Sequence, residues 1–540
     1  MLEVRETGDM ATAQTKYIFI TGGVLSGLGK GITAASLGAI LKARGYSVNI
    51  MKCDPYLNTD AGTLNPAEHG EVFVTADGAE TDLDLGHYER FLDAELTRGS
   101  SVMNGQIYTQ LIADERAGKY LGKTVQVIPH VTDAIQESIL KTGKGYDIHI
   151  VEIGGTVGDY ESLPNLDALR QFRHRVGVEN VVCGHVVYLP YLDASKELKT
   201  KPAQNTVRDL QGAGVATDVI FARAEHEVEE KVLRKISLFC NLDREAIVAL
   251  PTANSVYEVP LALESSGIAD YLCKQLGLSK RKPDLQTWRH LTKTIADPAK
   301  PPVRIGVVAK YMDHEDTYMS VTEAIRAAAW SLGRKPEVVW VDAQKIEKDG
   351  AAAHLRDLAG IIVPGGFGSR GVEGKIAAAA YAREHQIPYL GLCLGLQVAV
   401  IAAARAVGLK DANTMEINPK GKHSVIALMD SQRNVVDKGG TMRLGDYPCK
   451  LMKGSKAATA YGKDLIKERH RHRFEFNNDY RDRLEADGLH IVGTSPDGKL
   501  VEVVELADHP FYVASQFHPE FTSRPSRPNP LFAAFMQASI

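Results

Sequence analysis

Cysteine and tryptophan are scarce in this chain, at six and three of 540 residues. The six cysteines (Cys53, Cys183, Cys240, Cys273, Cys393, Cys449) are widely separated and form no CxxC pair. That spacing indicates neither a disulfide framework nor a zinc ribbon and fits a reducing, cytoplasmic setting. No run of about eighteen apolar residues occurs, so no membrane-spanning helix is expected. An excess of one charge is also missing: 63 basic residues face 67 acidic ones, for a formal net charge of -4. Such a balance argues against nucleic acid or a membrane surface as partner, while leaving room for a local cationic pocket. Internal repeats with periods of about 20–50 residues and low-complexity tracts are absent too. Met1 to Gln14 carry three acidic residues and no apolar core, unlike a signal peptide, and read as a polar tail.

What is present is globular: 44% hydrophobic and 24% charged residues, in a chain too long for a single core. Short apolar runs alternate with helical patterns at Tyr17 to Ile20, Val48 to Met51, Ile148 to Ile153, Val181 to Leu189, Val219 to Ala222 and Ile247 to Leu250. Buried parallel strands have this form, and the alternation predicts an α/β doubly wound sheet. From about Lys274 the strand signal lapses, and Asp297-Pro298-Ala299-Lys300-Pro301-Pro302 favours an extended linker. A second strand series then starts at Val303 to Val308, Val338 to Val341, Ile361 to Val363 and Tyr389 to Leu392, predicting a second α/β domain. The expected organisation is a tail at 1–14, a nucleotide-binding domain at 15–278, a linker at 279–302 and a C-terminal domain at 303–540.

The first strand enters Thr21-Gly22-Gly23-Val24-Leu25-Ser26-Gly27-Leu28-Gly29-Lys30-Gly31-Ile32, followed by a helical pattern. Such a loop can turn backbone N–H groups and a helix N-terminus onto phosphates, with the lysine adding a mobile positive charge. It departs from a Walker A motif, because five residues separate Gly23 from Gly29 and Gly31 replaces the usual Ser or Thr. An ordinary strand-to-helix turn is the alternative. Asp84 and Glu152, the latter closing a buried strand, are candidate Mg²⁺ ligands or simply a cap and a surface acid. Lys199, Thr200, Lys201, Pro202, Ala203 and Gln204 could clamp a second triphosphate or form solvated surface.

Several ordered blocks go further. Lys52-Cys53-Asp54-Pro55-Tyr56, His69 to Val74, Asp77 to Arg90, Thr124 to His130, Glu152 to Asp159 and Lys199 to Gln204 resemble signature blocks of the CTP synthase family. The resemblance implies an amidoligase domain followed by a class I glutamine amidotransferase domain. It implies that Gly27, Leu28, Gly29, Lys30, Gly31, Ile32, Lys52 and Asp84 bind ATP, with Mg²⁺ on Asp84 and Glu152. Ser26, Lys199 to Gln204 and Lys235 would bind UTP, and Asp159, Tyr160 and Glu161 would belong to a CTP inhibitory site. GTP activation, CTP feedback and a homotetramer are implied in the same way. Asn205, Asn165 and Pro251-Thr252 stand where the family commonly has His, Phe and Lys-Asp, which puts side-chain contacts to adenine at 251–252 in doubt.

Hydrolysing glutamine calls for a thiolate, a base and oxyanion donors. Gly391-Leu392-Cys393-Leu394-Gly395 between a strand and a helical pattern reads as a nucleophile elbow with cysteine in place of serine. Pro364-Gly365-Gly366-Phe367-Gly368 can aim the Gly366 N–H at the oxyanion beside that of Leu394. Apolar Tyr512 to Phe517 runs into His518-Pro519-Glu520, completing a Cys-His-Glu triad. Resemblance to class I amidotransferases implies that Gln397, Glu416 and Arg473 recognise glutamine. His470 and His472, flanking Arg471, read as a solvated strand face in preference to a metal site. An internal ammonia tunnel is expected, because free ammonia is mostly protonated near neutral pH. Two other readings compete: a P-loop amidoligase acting on a corrin side-chain carboxylate, and a nucleotide-switched scaffold resembling partition ATPases.

Overall fold

The computed structural model describes residues 14–25, 27–310, 312, 315–432 and 440–540. Tail residues 1–13 and Ser26 lie outside them. The chain divides into two compact units: one contains residues up to Thr59 with Gly99–Thr292, the other Asp60–Arg98 with Lys293–Ile540.

The first unit is built on seven parallel strands: β1 (Lys16–Gly22), β2 (Val48–Asp54), β3 (Ser101–Met103), β4 (Ile148–Ile153), β5 (Val181–Tyr188), β6 (Val219–Ala224) and β7 (Ile247–Pro251). Their order is β7-β6-β5-β1-β4-β2-β3. Helices cover both faces, so almost every strand residue is buried, and this is why the strands read as continuous apolar runs rather than alternating ones. Phe19, Phe172 and Tyr17 pack edge to face in the core on one side. The short strand Ser101–Met103 sits at the sheet edge and left no apolar signature in the sequence. Between β5 and β4, at β1, the connections diverge to opposite sides, and in such sheets the crevice outside the carboxyl ends at that point takes the ligand.

Within the expected linker 279–302, ahead of the proline-bearing stretch 297–302, Gln286–Ala296 is an α-helix. Its prolines, Pro283 and Pro298, flank the helix without interrupting it, and Leu291 is buried while Trp288 lies against Tyr257 at 6.3 Å. Tertiary burial of that apolar pair outweighs the local composition.

Asn165 is 1% exposed, and neither amide heteroatom has a hydrogen-bond partner among the described residues. An unsatisfied buried amide costs about 1–3 kcal/mol. Asn165→Leu should therefore stabilise the first unit by about 1–2 kcal/mol, measured as a higher denaturant midpoint with unchanged slope. A lower midpoint would show that the amide is satisfied in solution.

The second unit has a nine-stranded sheet made from β8 (Pro302–Ala309), β9 (Lys335–Asp342), β10 (Gly360–Val363), β11 (Tyr389–Leu392), β12 (Arg443–Leu451), β13 (Leu465–His472), β14 (Leu489–Thr494), β15 (Val501–Leu506) and β16 (Tyr512–Ser515). Their order is β9-β8-β10-β11-β16-β15-β14-β12-β13. The run from β9 to β16 is parallel and the rest is antiparallel. β10, β11 and β16 are adjacent, which brings three loops distant in sequence to one end of the sheet.

Residues 60–98 interrupt the first unit in sequence and pack within the second. They contribute the hairpin Phe73–Val74 with Glu80–Thr81 and the helix Asp84–Leu92. Fully buried Glu89 accepts from Arg469 at 2.9 Å and from Arg524 at 2.7 Å. Removing one member of a buried ion cluster typically costs 3–5 kcal/mol, because the remaining charge is left uncompensated.

Candidate active sites

In the first unit, β1 ends at Gly22 and the chain turns through Gly29, at φ 95°, into the helix Lys30–Ala43. That left-handed turn leaves the first amides of the helix unpaired at the sheet's carboxyl edge. Lys30 is buried along its stem, and its Nζ donates to Gly155 O at 2.8 Å, just past the end of β4. Lys52 on β2 stands in register with Glu152 on β4. Lys52 Nζ also lies 3.4 Å from Asp54 Oδ1, and Asp54 and Glu152 are both buried. Two cations and two carboxylates thus gather at the divergence point of the sheet, next to the glycine turn.

Gly27, Leu28, Gly31 and Ile32 lie on the turn and the first helical turn around Lys30. Asp54 was not singled out in the sequence, although it closes an apolar strand as Glu152 does. Arg223 on β6 was also missed; its Nε would lie 3.7 Å from a Cβ placed on Gly29. Hard carboxylate oxygens beside a phosphate-type loop are the donor set that Mg²⁺ prefers, so Glu152 and Asp54 fit that ion. Asp84 opens the helix Asp84–Leu92 in the second unit, its N–H donating to Asp82 Oδ1 at 3.0 Å.

The helix Lys201–Gly212 begins with exposed Lys201 and with Pro202 in its first turn, where a missing N–H costs nothing. Thr200, Ala203 and Gln204 are buried, with Gln204 Nε2 donating to Thr200 Oγ1 at 3.1 Å. Lys199 is ion-paired with Glu197, and that carboxyl sits below its usual range because of Lys199 first and, more weakly, Lys235. Lys235 lies on the helix Glu230–Cys240. Asp159, Tyr160 and Glu161 form an exposed turn after β4, with Glu161 O accepting from Asn104 Nδ2 at 3.3 Å.

In the second unit, β11 delivers Cys393 at φ 54° and ψ -100°, immediately before the helix Leu394–Ala406. A non-glycine residue held in that region stores strain and presents its side chain at a sharp elbow. Gly395 is obligatory there, since a Cβ would fall 2.1 Å from Val363 O. Cys393 N–H donates to Ser515 O at 2.7 Å, tying the elbow to β16. Cys393 Sγ lies 3.7 Å from Arg471 O, and Gln516 Nε2 approaches it at 3.6 Å.

His518 Nδ1 meets Glu520 Oε1 at 2.7 Å, and the imidazole stacks on Phe521. A Cβ on Gly365 would come within 2.9 Å of His518 Cε1 and 3.7 Å of Cys393 Cβ, so the glycine loop lies directly against both. A Cβ on Gly366 would reach Leu394 Cδ2 at 3.8 Å, so the glycine loop also lies against the Leu394 side chain. Cys393, His518, Glu520, Gly366 and Arg473 line one cavity of about 340 Å³.

Two lysines missed in the sequence hold the glycine loop. Buried Lys375 donates to Pro364 O at 2.9 Å, and Lys310 donates to Phe367 O at 3.1 Å and to Gly368 O. Burial pushes Lys375 well below its ordinary range and Lys310 down to about 8. Neither carried a sequence signal, because a lone lysine in a helical or strand pattern reads as surface. Glu416 accepts from Gly368 N–H at 2.7 Å, and Gln397 donates to Phe474 O at 3.1 Å. Arg473 donates to Gln432 Oε1 at 2.5 Å and to Thr441 Oγ1 at 2.9 Å.

One expectation fails outright. His470 and His472 are not on a solvated face: both are buried and linked through their rings at 3.0 Å. Tyr447 and Phe517 cover His470, and burial lowers His472 to about 3, so the pair stays neutral. The charged neighbours in sequence concealed this, and Arg469 beside them is itself buried against Glu89.

Burial alone would lower the pKa of His518, yet the Glu520 carboxylate and Cys393 raise it from 6.5 to about 10. A raised folded-state pKa contributes stability that is full below about 6.5 and is lost as pH climbs toward about 10. Glu520→Gln should remove most of that dependence. Wild type is expected to lose at least about 1 kcal/mol more than the variant between pH 7 and 10, read by urea denaturation. Equal losses would place the imidazolium's stabilisation elsewhere.

Among the described residues, no helix is long and apolar enough to cross a membrane. Residues 16–278 match the family model for the CTP synthase N-terminus, and residues 314–538 match that for class I glutamine amidotransferase. A CTP synthase of Carboxydothermus hydrogenoformans is 55% identical over 97% of this chain and 99% of its own length. One of Chloroflexus aurantiacus is 55% identical over 97% of this chain and 96% of its own length. The solved Trypanosoma brucei CTPS glutaminase domain with bound acivicin is 41% identical, covering 44% of this chain and 93% of that one, with a TM-score of 0.42. With two domain matches that together span most of its length and with full-length relatives at this identity, the chain belongs to the CTP synthase family.

Proposed function

We propose that this chain converts UTP to CTP with ATP and glutamine, in two half-reactions assigned to its two nucleotide-binding and glutaminase regions, 15–278 and 303–540. The observation that carries the reading is the coexistence of a cation-rich glycine turn at a sheet divergence point with a buried Cys-His-Glu arrangement facing a cavity.

In the glutaminase, Cys393 attacks the carboxamide of glutamine while His518, oriented by Glu520, takes the thiol proton and gives it to departing ammonia; water then hydrolyses the thioester, releasing glutamate and restoring the thiol. The N–H groups of Gly366 and Leu394 stabilise the oxyanion, with Lys375 and Lys310 fixing the carbonyls on the far side of the loop. Arg473, Gln397 and Glu416 recognise glutamine, Arg473 through its position in the cavity and the other two through the loop and helix they hold.

In the nucleotide region, O4 of UTP accepts a phosphoryl group from ATP, which turns a poor leaving group into a good one. Lys30 and Lys52 neutralise the charge that develops, and ammonia then displaces phosphate at C4. Glu152 and Asp54 would hold Mg²⁺, which would neutralise charge on the phosphates. Gly27 to Ile32 cradle ATP, and Lys199 to Gln204 with Lys235 take the UTP triphosphate, together with Ser26, which lies outside the described residues.

GTP activation, CTP feedback, a homotetramer and a cytoplasmic location belong to the same reading; the six buried, free cysteines accord with a reducing compartment. Exposed Asp159, Tyr160 and Glu161 are assigned to a base pocket for CTP, sharing the triphosphate lysines with UTP. Glu161→Ala should raise the CTP inhibition constant roughly ten- to a hundredfold while changing UTP half-saturation little, as expected for losing a hydrogen bond to a charged group. Parallel rises in both would rule out a separate base pocket. The reading as a whole is tested by incubating the chain with UTP, ATP, Mg²⁺ and glutamine. CTP is the expected product, and its absence would overturn the proposal.

A further inference from the structure

A buried hydrogen-bond chain beneath the nucleotide region is not used by any step above. Thr21, at the end of β1, lies 2.8 Å from His185 Nδ1 on β5, and His185 Nε2 lies 2.6 Å from Thr206 Oγ1 on the helix Lys201–Gly212. Thr21 and His185 are fully buried, and Thr206 nearly so. Each threonine hydroxyl can donate or accept, so a neutral imidazole keeps both links in either tautomer. Burial and the nearby Lys30 lower His185 to about 3, so the ring remains neutral.

The chain's two ends are informative. Thr21 directly precedes Gly22 and Gly23, where the glycine turn begins, and Gly23 N–H is anchored to Val186 O at 3.2 Å. A Cβ on Gly23 would lie 2.5 Å from Thr206 Cβ, so the start of the turn rests on the same threonine that holds the imidazole. Thr206 in turn sits on the helix that begins at Lys201 and carries Gln204. A valine would fill the same volume there, so the hydroxyl is needed only for the imidazole.

We infer that Thr21–His185–Thr206 sets the register between the glycine turn and the helix Lys201–Gly212, making His185 and Thr206 positioning residues for phosphoryl transfer between the two nucleotides. The inference rests on the function proposed above. In-line transfer is sensitive to small displacements of donor relative to acceptor, whereas binding of each nucleotide to its own element is not.

The test uses the full chain with ATP, UTP, Mg²⁺ and an ammonium salt, so that glutamine chemistry does not enter. Thr206→Val should lower kcat for CTP formation roughly ten- to a hundredfold, with KM for each nucleotide within about threefold of wild type. Thr206→Ser, which restores the hydroxyl, should recover most of the rate. A near-normal kcat in Thr206→Val, KM values rising in step with the loss of kcat, or a serine variant no better than valine would each overturn the inference. If Thr206→Val does not fold, His185→Asn, which keeps the reach to Thr21 and loses that to Thr206, is read by the same criteria. Failure of both to fold would assign the chain to stability alone and overturn it as well. A wild-type chain that makes no CTP sinks the functional reading and this inference together; a fully active Thr206→Val sinks this inference alone.

Discussion

Replacing Cys393 with alanine is expected to abolish CTP formation from glutamine while leaving formation from an ammonium salt largely intact. Deleting the nucleophile of a catalytic triad costs on the order of 10⁶ in turnover, because the remaining members cannot form the covalent intermediate. Cys393 occupies a strained elbow with its N–H bonded to Ser515 O, and alanine fits that backbone as well as cysteine does. The fold around His518 and the glycine loop should therefore survive. Added ammonia bypasses the thiol altogether. CTP release is to be measured with each nitrogen source at matched UTP and ATP. Equal loss with both would refute the division of labour between thiol chemistry and UTP activation.

Lys30→Ala has the opposite signature: both nitrogen sources should fail together. Phosphorylation of UTP precedes amination whichever way ammonia arrives, and Lys30 is the cation at the glycine turn, reaching across to Gly155 O at 2.8 Å. Losing a cation that stabilises developing charge in a water-poor site costs about 3–4 kcal/mol, or roughly 10²–10³ in rate. The glutaminase cavity is lined by residues of the second unit and does not contain Lys30. A variant with near-normal ammonia-dependent turnover would reduce the turn to a structural role, the alternative that its departures from a Walker A motif left open.

The sequence by itself determined the strands and the chemistry that is local in the chain. Strands buried on both faces must be apolar throughout, so Ile148–Ile153 and Tyr389–Leu392 appear in the structure with the bounds the apolar runs indicated. A nucleophile elbow needs glycines on either side of one residue, and a histidine two residues before its carboxylate is a contiguous word; Cys393, His518 and Glu520 were legible for that reason. Tertiary structure decided everything that depends on which surfaces face each other. The segment 60–98 reads as continuous with the first domain, but Glu89 is buried between Arg469 and Arg524, several hundred positions away, and no local pattern encodes that pairing. His470 and His472 looked solvated because their sequence neighbours are charged, yet Arg469 is buried as well, its charge met by Glu89 from the segment 60–98. Lys310, Lys375, Asp54 and Arg223 were silent because a single charged residue acquires a role only from what it approaches. The same holds for His185, whose two threonine partners come from different elements and meet it only once the sheet and the helix above it have packed.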